Sequence, residues 1–167
     1  MKKKITDEEF LKLVEDILDN KEFNKLGDIN HHGITRLDHS IRVSYYSYKI
    51  TKSLGLNYEI TARAGMLHDF FISNIDRTKK ERFLSTFTHP KYAVENSLKN
   101  FDIDEIGKNI IESHMFPIYK SLPKYSESWI VSLVDKISAI FEFAWSFNKK
   151  IVYYSNIILI IIINYIK

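Results

Sequence analysis

The chain has 167 residues, of which 45% are hydrophobic and 27% charged, and its formal net charge is +3. This length allows one domain with a sizeable core, and the nearly balanced charge does not indicate a nucleic-acid binder that works through bulk electrostatics. The chain contains no cysteine, which excludes disulfides, zinc–thiolate sites and thiol nucleophiles and fits a cytoplasmic protein. With only five glycines and three prolines, we expect long helices.

The first third of the chain predicts two helices. Thr6-x-x-Glu9 is a capping box for an amphipathic helix that carries apolar residues at helical spacing. A loop over 27–35 separates it from a second helix over 36–54, which Gly55 is expected to end.

The third predicted helix covers 58–71, with Asn57 as its N-cap. It contains the small residues Ala62, Ala64 and Gly65. Because small side chains let helix backbones come close together, we expect a neighbouring helix to approach the third helix at these positions.

Three more helices are expected in the middle of the chain. A polar stretch contains a short predicted helix over 79–84, and Pro90 suits the first position of a separate helix that continues over 91–99. Asp102 begins a cap-like signal for a further helix that reaches His114.

The last predicted helix runs over 127–147, with Ser126 as its cap. The apolar segment 151–166 that follows would span about 24 Å as a helix, short of a bilayer core of about 30 Å. It is compatible with a buried terminal helix or strand, a membrane-associated segment or an abnormal terminus. The sequence therefore predicts an all-α helical bundle over 1–148 and an atypical apolar tail over 149–167.

Histidines and aspartates recur along the chain at intervals of about one helix and one connection. Side chains spaced in this way can point from separate helices into one shared centre. Imidazole and carboxylate ligands without sulfur suit iron or manganese, with zinc, cobalt or nickel as alternatives. The candidate metal ligands are His39, His68, Asp69, His89, His114 and Asp135. Two ions are expected, or one if His89 and His114 only cap their helices.

Several segments around these residues resemble the signature of the HD-domain metal-dependent phosphohydrolases, over roughly residues 28–143. The segments are RLDHS at 36–40, GMLHD at 65–69, THP at 88–90, ESHM at 112–115 and LVDK at 133–136. The resemblance implies that one metal is held by His39, His68, Asp69 and Asp135. It implies that Asp69 bridges to a second metal, held by His89 and His114.

The resemblance also implies a phosphohydrolase that uses a metal-activated water. We expect a small phosphorylated substrate, such as a nucleotide or a related metabolite, and no nucleic acid. The expected catalytic residues are Asp69 and Lys136. The candidate substrate-binding residues are Arg36, Arg42, Lys91, Lys136 and His32. A di-iron oxygenase and a non-catalytic nucleotide-sensing module remain alternative functions. For each charged candidate side chain, the alternative is a solvated surface charge or a salt bridge.

Overall fold

Helices form almost all of the regular structure in the computed structural model. The model describes residues 5–31, 33–72 and 79–166. Side chains are described for all of these residues except 30–31, 79–86, 152 and 154–166. Within these ranges the elements are α1 (Glu8–Leu18), α2 (Lys21–Asn24), a 3₁₀ turn (Lys25–Asp28), β1 (Asn30–His31), β2 (Ile34–Thr35), α3 (Arg36–Ser53), α4 (Tyr58–Leu67), α5 (Lys79–Asn100), α6 (Glu105–Ser113) and α7 (Ser126–Ile166). The two strands form one antiparallel hairpin. The predicted all-α fold is confirmed.

Helices α3 and α4 pack closely at the centre of the fold. A Cβ atom on Gly65 would lie only 2.9 Å from the Cα atom of Ser44, so this position has no room for a side chain. The Ser44 hydroxyl donates a hydrogen bond to the Ala62 carbonyl at 2.6 Å. The predicted close approach of a neighbouring helix is confirmed, and it fixes the end of α4 against α3.

Helix α1 covers this pair with one apolar face. Phe10, Val14 and Ile17 are at most 1% exposed, and the ring centroid of Phe10 lies 5.4 Å from that of Tyr48 on α3. Aromatic and aliphatic burial of this size supplies the main favourable term in folding.

Three predicted helix caps have different outcomes. Asn57 caps α4 as predicted. The cap of α1 is Asp7 instead of Thr6, and the cap of α6 is Asp104 instead of Asp102. Each observed cap accepts a hydrogen bond from the backbone N–H three residues further on. Aspartate, serine and threonine have similar N-cap preferences, so the local pattern does not choose between neighbouring candidates.

Helix α4 ends four residues earlier than predicted. Its last residue is Leu67, and His68 is the C-cap. Asp69 therefore follows the helix, where the chain turns. His68 keeps helical backbone angles, and both polar side chains are buried.

One continuous helix, α5, replaces the two helices predicted around Pro90. Proline lacks an N–H donor and costs a hydrogen bond inside a helix, yet Pro90 lies within α5. His89, Ala93 and Ser97 are buried along this helix. The free energy gained by burying that face of α5 outweighs the cost of placing proline inside the helix.

Helix α7 continues well beyond its predicted end at residue 147. No glycine or proline occurs over 126–166, so nothing in the sequence interrupts the backbone hydrogen bonds. The helix passes through residue 148 without a break, and a separate tail over 149–167 stays a prediction. In the part of the chain that the structure describes, no helix has both the length and the apolar character needed to cross a bilayer.

Candidate metal centre

The six candidate ligands lie in one buried region, brought there by five parts of the fold. His39 lies in the first turn of α3, and His68 and Asp69 follow the end of α4. The remaining three come from α5, the C-cap of α6 and the first quarter of α7. All six are buried, with exposed fractions of 8% or less.

The side chains form three overlapping groups of potential metal ligands. In each group, one nitrogen or oxygen atom per residue lies within 4.8 Å of the others. The groups are His39–His68–Asp69, His68–His114–Asp135 and Asp69–His89–His114. Because three residues belong to two groups each, the donor atoms form one extended cluster.

Each aspartate faces a pair of imidazoles. Oδ1 of Asp135 lies 3.0 Å from Nε2 of His39 and 3.6 Å from Nε2 of His68. Oδ1 of Asp69 lies 3.2 Å from Nε2 of His89 and 3.7 Å from Nε2 of His114. The cluster therefore has two ends, each with one carboxylate and two ring nitrogens.

Backbone carbonyls fix the tautomers of two imidazoles. Nδ1 of His68 donates to the Gly65 carbonyl at 2.8 Å, and Nδ1 of His114 donates to the Ile111 carbonyl at 2.7 Å. A carbonyl only accepts, so in the neutral rings Nε2 carries a lone pair. Hydrogen bonds of this kind, on the ring nitrogen that points away from the metal, orient histidines that bind metals.

The inner ring nitrogens fit a cation. Nε2 of His68 is fully buried and has no hydrogen-bond partner, a state that costs about 1–3 kcal/mol if nothing compensates it. Nε2 of His114 accepts a hydrogen bond from Nε2 of His89 at 2.9 Å, and a bound cation would take the place of the shared proton. Ring nitrogens that converge in a buried space, with carboxylates beside them, are the donor set of a divalent transition-metal site.

Glu142 is a buried partner of the cluster that the sequence analysis missed. Its side chain is fully buried, and Oε2 accepts a hydrogen bond from Nδ1 of His39 at 2.8 Å. Oε1 accepts from Nη1 of Arg42 at 2.9 Å. A signal existed: Glu142 lies seven residues after Asp135, which places both carboxylates on the same face of one helix.

The protein environment shifts the pKa values at the two ends in opposite directions. Burial disfavours the charged form of His39, but hydrogen bonds to Asp135 and Glu142 outweigh it and raise its pKa to about 10. Burial, with repulsion from the His68 and His89 rings, lowers the pKa of His114 to about 3. The His114 end thus presents neutral imidazole, while a cation at the other end would displace a proton from His39.

The carboxylate of Asp135 remains ionised despite its burial. Desolvation raises its pKa, and the imidazoles of His39 and His68 lower it by more, so the net shift is downward. Oδ1 of this residue is therefore an anionic donor at neutral pH, as a metal ligand must be.

Arg36 is the candidate substrate-binding residue that lies beside the cluster. Its guanidinium stacks over the Phe71 ring at 3.8 Å, donates to the Phe71 carbonyl at 2.6 Å and places Nε 3.9 Å from Oδ2 of Asp69. Burial lowers its pKa, against the opposing effect of the Asp69 carboxylate. Arg36 holds positive charge at the edge of the site.

The other basic candidates have different contacts. Nζ of Lys136 donates to the His114 carbonyl at 2.8 Å and to the carbonyl and hydroxyl of Ser132 at 3.1 and 2.7 Å. These contacts use all three ammonium hydrogens, so the geometry favours a structural role over the predicted catalytic one. Arg42 donates a hydrogen bond to Glu142, as described above. Lys91 is exposed, with Nζ 3.8 Å from Oε1 of Glu95.

His32 lies outside the described residues, and its predicted role in substrate binding stays a prediction. The side chain of His31 is likewise outside the described part. The assignment of all these residues as ligands or substrate contacts is a proposal that the geometry supports to different degrees.

Two curated proteins are similar to this chain, and both are named Ribonuclease Y. The protein from Mesoplasma florum is 32% identical over 151 residues, which covers 83% of this chain and 28% of the relative. The protein from Mycoplasma capricolum subsp. capricolum is 35% identical over 120 residues, covering 71% of this chain and 21% of the relative. The chain thus spans less than a third of either relative.

No solved structure matches the chain significantly. The HD domain, by contrast, matches residues 36–140, well over half of the chain. This range includes all six candidate ligands. The chain therefore belongs to the HD-domain family.

Proposed function

We propose that this chain is a metal-dependent phosphohydrolase that cleaves a phosphate ester with a metal-activated water. The observation that supports this most directly is the overlap of three groups of nitrogen and oxygen donors in one buried cluster. The resemblance to HD-domain phosphohydrolases supports the same reaction class. A cluster without sulfur and without a cysteine nucleophile in the chain suits direct attack by water.

Each residue has a defined task in this proposal. Asp69 belongs to the His39–His68 group and to the His89–His114 group, with a ligand atom within 4.8 Å of the others in each, so it is the proposed bridging ligand. Divalent cations bound here supply a water of lowered pKa and neutralise charge that develops on the phosphate oxygens. Arg36 lies beside Asp69 and is the proposed contact for a phosphate oxygen. Glu142 holds His39 in place.

The proposed substrate is a phosphate ester of a nucleotide, either free or within a short RNA. The charge balance led us to expect no nucleic acid, but the names of both relatives make RNA a candidate. The chain spans only 28% of the first relative, so this substrate is a proposal for the present chain. A mononucleotide offers a phosphomonoester and an RNA linkage a phosphodiester, so an assay with both substrates separates them.

The test measures metal content and hydrolysis in the same preparation. We expect the purified chain to bind manganese or iron and to hydrolyse bis(p-nitrophenyl) phosphate, a mononucleotide or a short RNA oligonucleotide. Asp69→Asn should lower turnover by at least about 100-fold and reduce metal content. Asp16→Asn is the control, because Asp16 pairs with Arg63 outside the cluster.

Two outcomes would contradict the proposal. Turnover that requires dioxygen and ferrous iron would instead favour an oxygenase. Tight nucleotide binding by the metal-loaded chain without hydrolysis of any of the three substrates would favour a sensing module.

A further inference from the structure

Helix α7 exposes an unusually large apolar surface on the side away from the metal cluster. Nine large apolar side chains between Trp129 and Ile151 are 43–70% exposed, five of them aromatic. At about 150–250 Å² for each aromatic side chain, the five aromatics alone expose roughly 500 Å². With the aliphatic residues added, the patch exceeds the roughly 300–600 Å² that is usual for a monomeric soluble protein.

These side chains occupy one continuous arc of the helix. At about 100° per residue they span roughly 200° of the circumference, from Phe143 on one edge to Trp145 on the other. Asp135 and Glu142 lie on the opposite side, where they face the cluster. The metal cluster and the apolar arc therefore use different faces of the same helix.

The charges around the arc have a single sign. Lys150 lies next to the Phe143 edge and Lys149 lies beyond the Trp145 edge, and both lysines are exposed. From Trp129 to Tyr153, the carboxylates among the described side chains are Asp135 and Glu142, and both are buried. The exposed part of this stretch is thus mainly apolar, with Asn148 as an exposed polar residue within the arc, and it has basic edges and no negative charge.

We propose that this arc of α7 lies in the headgroup region of an anionic lipid bilayer, with the helix parallel to the surface. An apolar face flanked by lysines, with tryptophan and phenylalanine along it, is the pattern of interfacial helices. Lysine stems extend over apolar surface while the ammonium groups reach the phosphates. The proposal rests on this surface alone and is independent of the proposed function.

A second copy of the chain fits the arc less well. A two-helix seam buries a stripe much narrower than about 200°, so much of this surface would stay exposed in a helix pair. The lysines at both edges would find no exposed carboxylate on the same stretch of a partner α7. Anionic lipid headgroups complement the charge of the lysines. The boundary between headgroups and acyl chains can cover the apolar side chains over the full width of the arc.

The two tryptophans of the chain provide a direct readout, because Trp129 and Trp145 both lie on the arc. We expect the full chain to float with phosphatidylcholine vesicles that contain phosphatidylglycerol. Its tryptophan emission should shift to shorter wavelength and be quenched by brominated lipid. Pure phosphatidylcholine and high salt should weaken binding, since each lysine contributes about fivefold in affinity at an anionic surface.

Matched variants locate the interaction. Phe147→Glu and Ile140→Glu place a negative charge in the middle of the arc and should lower vesicle affinity by more than about tenfold. Leu54→Glu is the control, because Leu54 is 62% exposed at the end of α3. Replacing Lys149 and Lys150 by alanine should lower affinity about 25-fold, whereas the same change at Lys120 and Lys124 should not.

Three results would overturn the proposal. Failure to bind either vesicle type, or equal vesicle binding by Phe147→Glu, Ile140→Glu and the unaltered chain, would refute it. A dimer in sedimentation analysis that Phe147→Glu dissociates, without vesicle binding, would assign the arc to a second copy. Since both altered positions are exposed, unfolding of one variant leaves the other for the measurement.

Discussion

Glu142 accepts a hydrogen bond from Nδ1 of His39 at 2.8 Å across 103 residues of sequence. Its other oxygen accepts from Arg42 at 2.9 Å. A buried carboxylate costs several kcal/mol unless partners compensate it, and here both oxygens have one. The contact orients the His39 ring so that Nε2 lies 3.0 Å from Oδ1 of Asp135, inside the cluster.

Glu142→Gln should lower metal affinity by about 10- to 100-fold, the usual effect of losing a partner behind a metal-binding histidine. Glutamine has one amide oxygen, so it cannot accept from both His39 and Arg42, and its NH₂ group opposes one of these donors. Affinity is measured by competition with a chelator of known strength. The control is Glu95→Gln, on the exposed surface of α5. Unchanged metal affinity in Glu142→Gln would show that the contact does not orient a ligand.

Arg42→Ala should lower metal affinity through the loss of its hydrogen bond to Glu142, and it should not change substrate binding. We expect a loss of metal affinity smaller than that of Glu142→Gln, and little additional loss when both changes are combined, because residues in one network are not additive. The double-mutant cycle in metal affinity measures this coupling. If Arg42 instead contacts the substrate phosphate, as first predicted, KM should rise while metal affinity stays constant.

Local sequence patterns predicted the helices and the meeting of the six polar residues, but not their supporting contacts. Hydrophobic periodicity and chain spacing place His39 and Asp135 on helices, because these two patterns depend only on residues that are near in sequence. The pairing of Glu142 with His39 depends on how α7 crosses α3, which no local pattern specifies. Likewise, adjacency to Asp135 suggested a catalytic Lys136, whereas its ammonium is turned toward Ser132 and the end of α6.

Gly65→Val should destabilise the fold and disturb the cluster together. A Cβ atom at Gly65 would lie 2.9 Å from a backbone atom of Ser44, so one helix must move, at a cost of about 1–3 kcal/mol. The Gly65 carbonyl also accepts the hydrogen bond that orients His68, so metal affinity should fall as well. Urea unfolding of the metal-free protein and chelator competition measure the two effects.

The control for that change is Gly27→Ala. A Cβ at Gly27 would be 3.6 Å from a side-chain carbon of Leu37, an ordinary contact. We expect a change of less than about 1 kcal/mol in the free energy of unfolding and normal metal affinity. Equal destabilisation by Gly65→Val and Gly27→Ala would argue against close packing of α3 and α4 as the cause.

Removal of bound metal should lower thermal stability, because the cluster contains a buried ring nitrogen, Nε2 of His68, that has no hydrogen-bond partner. At a free metal concentration about 1,000 times Kd, binding contributes about 4 kcal/mol, which corresponds to roughly 10 °C in Tm for a chain of this size. Melting curves in a chelator and in excess manganese measure the difference. His68→Gln should abolish most of the metal-induced shift, and Asp16→Asn should retain it. A shift of the same size in His68→Gln would place the stabilising cation elsewhere in the protein.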